Sequence, residues 1–245
     1  MASTIGEILP EAARRFGDNT ALIVQDDAFS FSELELMSNR VANGLVSVGV
    51  LPGDRVTLYG ANCWEWIVAY YAIAKTGAVV NPISSMLTAE EVRYVVEDAG
   101  ARVVVASVDK GTPVLDLVGP VELSSVVLWG DGVPAAATSF SEWVNGTDSE
   151  FAYVRREPAE LAAICYTSGT TGHPKGAMQS HRAVITAAIG TVLMGARGPN
   201  DRVLNSLPLA HVYGSCVFNA SMMAGSTLIM VPRFNEEAVF AAIAE

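Results

Sequence analysis

Acidic side chains are nearly missing from almost a third of the sequence. Between Leu161 and Asn235 the one acid is Asp201, although 26 acids in 245 residues would place about eight in a window of this length. The window also contains all three histidines, together with Lys175 and four arginines. A buried apolar core segment predicts this pattern, and so does a binding site that keeps carboxylates away from a bound anion.

Cysteines are few and widely spaced. The sequence has three, Cys63, Cys165 and Cys216, and their number is odd. This usage predicts neither a disulfide framework nor a zinc site, and it favours a reducing, cytoplasmic setting.

Long uninterrupted apolar runs are also missing. The uncharged segment 203–232 is broken by Asn, Pro, His and Gly, whereas a spanning helix needs about 20 mostly apolar residues. The N-terminus contains Glu7 and Glu11 and has no basic start before an apolar run, so we expect neither a signal peptide nor an integral membrane segment. The net charge of −11 argues against nucleic acid as a partner.

The remaining pattern alternates short apolar runs with segments of helical period. Ser30 with Glu33, and Thr88 with Glu91, form capping boxes that predict helix starts. The β-branched runs 101–107 and 124–130 predict strands that are buried on both faces. Residues 131–160, richer in Gly, Pro, Ser and acids, predict a surface loop region. The alternation predicts an α/β layered fold with a largely parallel sheet.

One short stretch points to chemistry. Tyr166–Gly176 reads YTSGTTGHPKG and follows a predicted strand that ends at Tyr166, and Ser180 can cap a helix from about His181 to Arg197. Glycines let the backbone approach an anion, hydroxyls add donors, and Lys175 adds a charge suited to phosphate. A Gly/Ser/Thr-rich linker is the alternative, but linkers rarely join a buried strand to an apolar helix.

The stretch does not match the Walker phosphate loop. Pro174 precedes Lys175 where the Walker pattern has Gly, and Gly176 follows it where that pattern has Ser or Thr. A P-loop nucleotide hydrolase is therefore not expected.

The stretch instead resembles the signature loop of the AMP-forming acyl-CoA synthetases and other adenylate-forming enzymes. Segment 74–105, which contains AKTGAVVNP, and segment 207–214, LPLAHVYG, are similar to two further regions of that family. The Phe-Asp-x-Ser pattern of amino-acid-activating domains is missing from the sequence, which favours a ligase of carboxylic acids and coenzyme A. The resemblance runs from about Thr20 to the end of the sequence.

The resemblance implies a two-step reaction and a set of site residues. ATP and a carboxylic acid, with a fatty acid favoured, would form an acyl-adenylate with Mg²⁺, and coenzyme A would then take the acyl group. Lys175 and His211 would be catalytic, with His211 where the carboxylate and α-phosphate meet. Tyr213 and Gly214 would line the acyl pocket with His211, and Thr167 would also lie nearest the metal. The phosphates would be held by Lys175 and by Thr167, Ser168, Gly169, Thr170, Thr171 and Gly172.

Other residues of this region have competing interpretations. Met222 and Met223 fit core packing better than an acyl tunnel. His181 and Arg182 either help to hold phosphate or form the exposed first turn of a helix.

Family members are about twice as long as this sequence. The resemblance therefore implies an αβαβα-layered N-terminal domain that is incomplete. Residues 1–245 would be the N-terminal part of the large AMP-binding domain, without its C-terminal subdomain or the small C-terminal domain. We expect the 245-residue chain alone to be inactive. The alternative is a non-catalytic truncated relative that binds nucleotide or a protein partner, and homo-oligomerisation stays open.

Overall fold

The computed structural model describes residues 2–167 and 174–244. Its strands are β1 (Thr20–Val24), β2 (Asp27–Ser30), β3 (Arg55–Tyr59), β4 (Val79–Ile83), β5 (Ala101–Ser107), β6 (Ser125–Trp129), β7 (Thr138–Ser139), β8 (Leu161–Thr167), β9 (Lys175–Ser180), β10 (Arg202–Asn205) and β11 (Thr227–Met230). Its helices are α1 (Ile5–Phe16), α2 (Phe31–Ser47), α3 (Trp64–Lys75), α4 (Ala89–Asp98), α5 (Val108–Gly111), a 3₁₀ helix (Thr112–Leu117), α6 (Phe140–Gly146), α7 (His181–Met194), α8 (Val212–Ala224) and α9 (Glu236–Ala244).

The described strands form two sheets. The larger has the order β7-β6-β5-β3-β4-β8-β9 and is parallel except for β9, which runs antiparallel to β8. The smaller has the order β10-β11-β1-β2, in which only the β1–β2 pair is antiparallel. The α/β class with a largely parallel sheet is confirmed.

The main core lies between the two sheets. Helix α3 is buried along nearly its whole length, because it packs against β3 and β4 of the larger sheet and against α1 and α2. Its Trp66, Tyr70 and Tyr71 surround Phe218 of α8. The Tyr71 hydroxyl donates to Asn219 Oδ1 at 2.9 Å, which satisfies two polar groups inside this core. A second core covers the other face of the larger sheet, where Val92, Val95 and Val96 of α4 are buried.

Both predicted capping boxes are present. The backbone N–H of Glu33 donates to Ser30 Oγ, and that of Glu91 donates to Thr88 Oγ1. Each carboxylate accepts from the backbone N–H of its partner at 2.8 Å, so both helices start where the sequence predicts.

Two parts of the chain differ from the prediction. The region 131–160 is not all surface loop, since it contains β7 and α6, and Phe140, Trp143 and Val144 of α6 are buried. Strand β9 lies between the predicted loop and α7, so the chain passes from β8 to α7 by way of a hairpin. Among the described residues, no helix has the length and apolar character needed to cross a bilayer.

Candidate functional site

The hairpin of β8 and β9 holds the predicted phosphate site. Its strands pair from Leu161 opposite Ser180 to Thr167 opposite Lys175, which is the pair nearest the connecting loop. The predicted phosphate ligands Ser168, Gly169, Thr170, Thr171 and Gly172, with His173, lie outside the described residues. The structure therefore brings Thr167 and Lys175 together at the base of that loop.

Thr167 and Lys175 are both exposed at this end of the hairpin. In the described ranges Lys175 makes no ion pair, and the surrounding segment has few acids to pair with it. An unpaired ammonium beside a hydroxyl can bind an anion without first breaking a salt bridge.

Residues at the hairpin base explain its geometry. A Cβ on Gly176 would lie 2.8 Å from Ile164 Cγ2 and 3.2 Å from Tyr166 Cζ, so the Tyr166 ring lies against a residue without a side chain. The Tyr166 hydroxyl donates to Asp98 Oδ2 at 2.6 Å, at the C-terminal end of α4. Burial, and after it the hydrogen bond to Asp98, raises the pKa of Tyr166 above its ordinary range. Sequence reasoning missed Asp98, because no local pattern connects α4 to this hairpin.

His211 is the N-cap of α8. Its Nδ1 accepts from the backbone N–H of Tyr213 at 3.1 Å, so the ring proton lies on Nε2. The ring is exposed, and no hydrogen bond from Nε2 to another described residue occupies it, so the Nε2–H can donate to a carboxylate or phosphate oxygen. Capping thus fixes both the tautomer and the direction of the ring.

The other residues predicted for the acyl pocket separate into two groups. The Tyr213 side chain is 58% exposed at the start of α8, where it can contact a substrate. Gly214 is buried, and a Cβ there would come within 2.1 Å of the Pro208 carbonyl oxygen, so this glycine is required for packing. Met222 is fully buried in the core, and Met223 packs against it, which confirms core packing.

Asn62 anchors the segment that leads to His211. This buried side chain donates to the carbonyl of Leu207 at 2.9 Å and accepts from the N–H of Leu209 at 2.8 Å. It follows β3 in the larger sheet, whereas Leu207 follows β10 in the smaller one. A side-chain amide just after a strand is the signal that could have identified it, since it can replace backbone pairing in both directions.

A cleft of 460 Å³ opens where strands of both sheets end. Asn62 and Pro208 line it, together with the cations Lys110 and Arg233 and the exposed ring of Phe234. None of its lining residues in the described part of the chain is acidic. Ligands of α/β proteins bind at the carboxyl ends of strands, and this lining suits an anion.

Helix α7 contacts both the hairpin that carries Lys175 and the helix that begins after His211. It packs against the hairpin strands β8 and β9 and against α8, which His211 caps. His181, its first residue, is buried and accepts from the Ile5 N–H through Nδ1 at 3.3 Å. His181 therefore belongs to the contact with α1 and is neither a phosphate ligand nor an exposed helix residue. Arg182 is exposed.

The chain is similar to known proteins over most of its length. The family model for the AMP-binding enzyme matches residues 9–245. A long-chain-fatty-acid–CoA ligase, FadD13 of Mycobacterium tuberculosis (strain CDC 1551 / Oshkosh), is 32% identical over 90% of the chain and 43% of its own length. The 4-coumarate–CoA ligase 5 of Oryza sativa subsp. japonica is 34% identical over 85% of the chain and 39% of its own length.

A solved structure supports the same relationship. ATP-bound MatB from Rhodopseudomonas palustris superposes with a TM-score of 0.87 at 28% identity, and the match covers 98% of the chain and 48% of MatB. The chain therefore spans about half the length, or less, of these three proteins.

Proposed function

Because the chain belongs to the AMP-binding enzyme family, we propose that it contributes to an enzyme that joins a carboxylic acid to coenzyme A with ATP. A carboxylate oxygen attacks the α-phosphorus of ATP, the bond to the β-phosphate oxygen breaks, and pyrophosphate leaves. The coenzyme A thiol then loses its proton and attacks the acyl carbon, and AMP leaves. Matching relatives are about twice as long, which supports a longer enzyme whose N-terminal part this chain forms, and an inactive 245-residue chain.

The observation that carries the proposal is the pairing of Thr167 with Lys175 at the base of the glycine- and hydroxyl-rich loop. Phosphoryl transfer needs charge stabilisation on the phosphate oxygens more than it needs covalent chemistry from the protein. Lys175 supplies a positive charge that no carboxylate of the described residues neutralises. We assign it, with residues 167–172, to the β- and γ-phosphates.

His211 is assigned to the junction of carboxylate and α-phosphate. Its Nε2–H is free to donate because Nδ1 is held by the Tyr213 N–H. A donor at this place stabilises negative charge as the carboxylate attacks. Tyr213 and Gly214 are assigned to the acyl pocket, Tyr213 by contact and Gly214 by allowing α8 to approach Pro208.

The residues present fit a magnesium ion that arrives with ATP. Mg²⁺ keeps several waters and is held in nucleotide sites by phosphate oxygens with one or two protein ligands. The exposed Thr167 hydroxyl can supply one such oxygen. The described residues contain no cluster of three or more His, Cys, Asp or Glu suited to a metal. When bound, the ion would offset the charge of the leaving phosphates.

The substrate class proposed is a fatty acid, on the basis of the long-chain ligase among the relatives. The exposed Tyr213 ring can line a pocket for an aliphatic chain. A cytoplasmic location is proposed from the three free cysteines, which need a reducing environment to stay reduced.

The test is carboxylate-dependent exchange of labelled pyrophosphate into ATP. It should be run on the 245-residue chain and on any longer product of the same gene, with short, long and aromatic acids. Exchange by the longer product with long-chain acids supports the proposal. Exchange by neither protein contradicts it and favours the non-catalytic alternative.

A further inference from the structure

Strand β9 is the last strand of the larger sheet in the described part of the chain. Its residues from Lys175 to Met178 are exposed, and Met178 is 76% exposed. Within these ranges β9 pairs with β8 on one side and with no strand on the other, so the position of Lys175 depends on what else holds this end of the hairpin.

Three residues form a contact chain that does this, and we name it the hairpin latch: Gly176, Tyr166 and Asp98. Gly176 follows Lys175 and lies opposite Tyr166 in the register. The Tyr166 ring lies against it, as the 3.2 Å approach of an added Cβ indicates. The Tyr166 hydroxyl then donates to Asp98 Oδ2 at 2.6 Å. The latch joins the residue beside Lys175 to the end of α4.

Asp98 is placed where a helix does not favour an acid. It is the last residue of α4, and Glu97 precedes it, with no basic residue in the last turn. Negative charge near a helix C-terminus is unfavourable because it faces the negative end of the helix dipole. The short, charge-assisted hydrogen bond from Tyr166 gives Asp98 a favourable partner that the helix itself does not provide.

We propose that Tyr166 and Asp98 are positioning residues that hold Lys175 in place for the leaving phosphates. This inference rests on the proposed function, because it assigns the latch to the same adenylation step. Charge stabilisation of a transition state requires the charged group to be oriented before the reaction. A hairpin that is released from α4 loses this orientation, because the β8–β9 pairs near Lys175 then open more often.

The variants are Tyr166→Phe, which keeps the ring, and Asp98→Ala, which removes the acceptor. Asp98→Asn keeps an acceptor oxygen for the Tyr166 hydroxyl, so this variant should behave much like the unsubstituted protein. The matched control is Glu97→Ala, which removes the neighbouring exposed carboxylate from the same helix end. Glu97 makes no side-chain hydrogen bond to the hairpin in the described residues. Glu97→Ala therefore measures only the effect of removing a negative charge from the C-terminal end of α4.

The first measurement is amide hydrogen exchange of β9 in the 245-residue chain, which needs no activity. We expect Tyr166→Phe and Asp98→Ala to speed exchange in β9 about five- to tenfold, as loss of one hydrogen bond to a charged group allows, while β3 stays unchanged. Unchanged exchange in β9 overturns the inference.

The second measurement is pyrophosphate exchange by the active enzyme. We expect the same two variants to lower kcat about tenfold with the KM of the carboxylic acid unchanged, and Asp98→Asn and Glu97→Ala to stay near the original rate. Faster amide exchange without a fall in kcat overturns the positioning role. Absence of pyrophosphate exchange in the unsubstituted enzyme overturns the proposed function and, with it, the positioning role of Tyr166 and Asp98. In that case faster amide exchange in β9 shows only that the contact is structural.

Discussion

Thr167 and Lys175 face each other as the β8–β9 pair nearest the loop. Directly opposed residues of antiparallel strands have Cα atoms about 5 Å apart, so the side chains of Thr167 and Lys175 project from the same face of the hairpin. The backbone of both residues is fixed by the sheet. Lys175 is therefore presented by a strand, which holds a side chain better than a loop does.

We predict that Lys175→Ala abolishes most of the adenylation activity while leaving the fold intact. Loss of one group that stabilises developing charge costs about 100-fold or more in kcat. The side chain is exposed, so the free energy of unfolding should change by no more than about 0.5 kcal/mol. Pyrophosphate exchange and urea unfolding measure the two effects. Arg102→Ala, at an exposed cation of β5, is the control, and an equal loss in both variants would contradict the assignment.

Gly214→Ala should destabilise the chain, because an added Cβ would collide with the Pro208 carbonyl oxygen at 2.1 Å. Overpacking of this kind costs about 1–3 kcal/mol. Gly190→Ala in α7 is the matched control, since a Cβ there meets nothing within 4 Å. Alanine is the better helix former, so this control should gain about 0.5–1 kcal/mol. Urea unfolding of both variants measures the difference, and equal stabilities would mean that α8 can move away from Pro208.

The sequence predicts the elements whose signals are local. The capping boxes at Ser30 and Thr88 and the strand before Thr167 each depend on residues within a few positions, and all three are confirmed. Helix α6 also has a local signal in the sequence, since Phe140, Trp143 and Val144 have helical spacing. The composition of 131–160 predicts a loop region, and only the helical period of its apolar residues predicts α6.

Other features depend on contacts between distant segments. Strand β9 has no alternating pattern, because most of its side chains are exposed, and its pairing with β8 makes it a strand. Asn62 contacts Leu207, which is 145 residues away, and Tyr166 contacts Asp98, which is 68 residues away. No periodicity within one segment carries this information. The sequence predicts which residues do the chemistry, whereas the fold provides those that position them.

Lys75 and Glu35 give a prediction about stability. The Lys75 ammonium is fully buried and lies 2.6 Å from Glu35 Oε2, and Ser38 Oγ and Asn39 Oδ1 each accept from it at 2.7 Å. Lys75→Met removes one member of this network and should cost about 3–5 kcal/mol. Adding Glu35→Leu removes the unpaired carboxylate and should recover part of the loss. Denaturant unfolding measures both, and a double variant no better than the single one would contradict this account.

The same lysine predicts how stability depends on alkaline pH. Burial lowers the pKa of Lys75 to about 8 from 10.5, against the opposing effect of Glu35. Between these values the unfolded chain binds more protons than the folded chain, so this residue's contribution to stability rises with pH. Unfolding free energies of the chain and of Lys75→Met should therefore diverge from pH 8 to 10.5. Parallel curves would show that Lys75 does not titrate in this range.

His181 predicts the dependence on acidic pH. Burial, and after it the charge of Arg156, lowers the pKa of His181 below its ordinary 6.5. Its Nδ1 must be unprotonated to accept from the Ile5 N–H. The unfolded chain therefore binds the proton first, and this stability is complete above pH 6.5 and is lost as the pH falls through the folded pKa. His181→Asn keeps an acceptor that does not titrate and should remove this part of the pH dependence. His181→Ala should also remove this part of the pH dependence. This variant should be less stable than His181→Asn, at pH 7 and below, because the Ile5 N–H loses its hydrogen-bond acceptor. Unfolding curves at several pH values measure this, and an unchanged slope in both variants would show that another group controls acid unfolding.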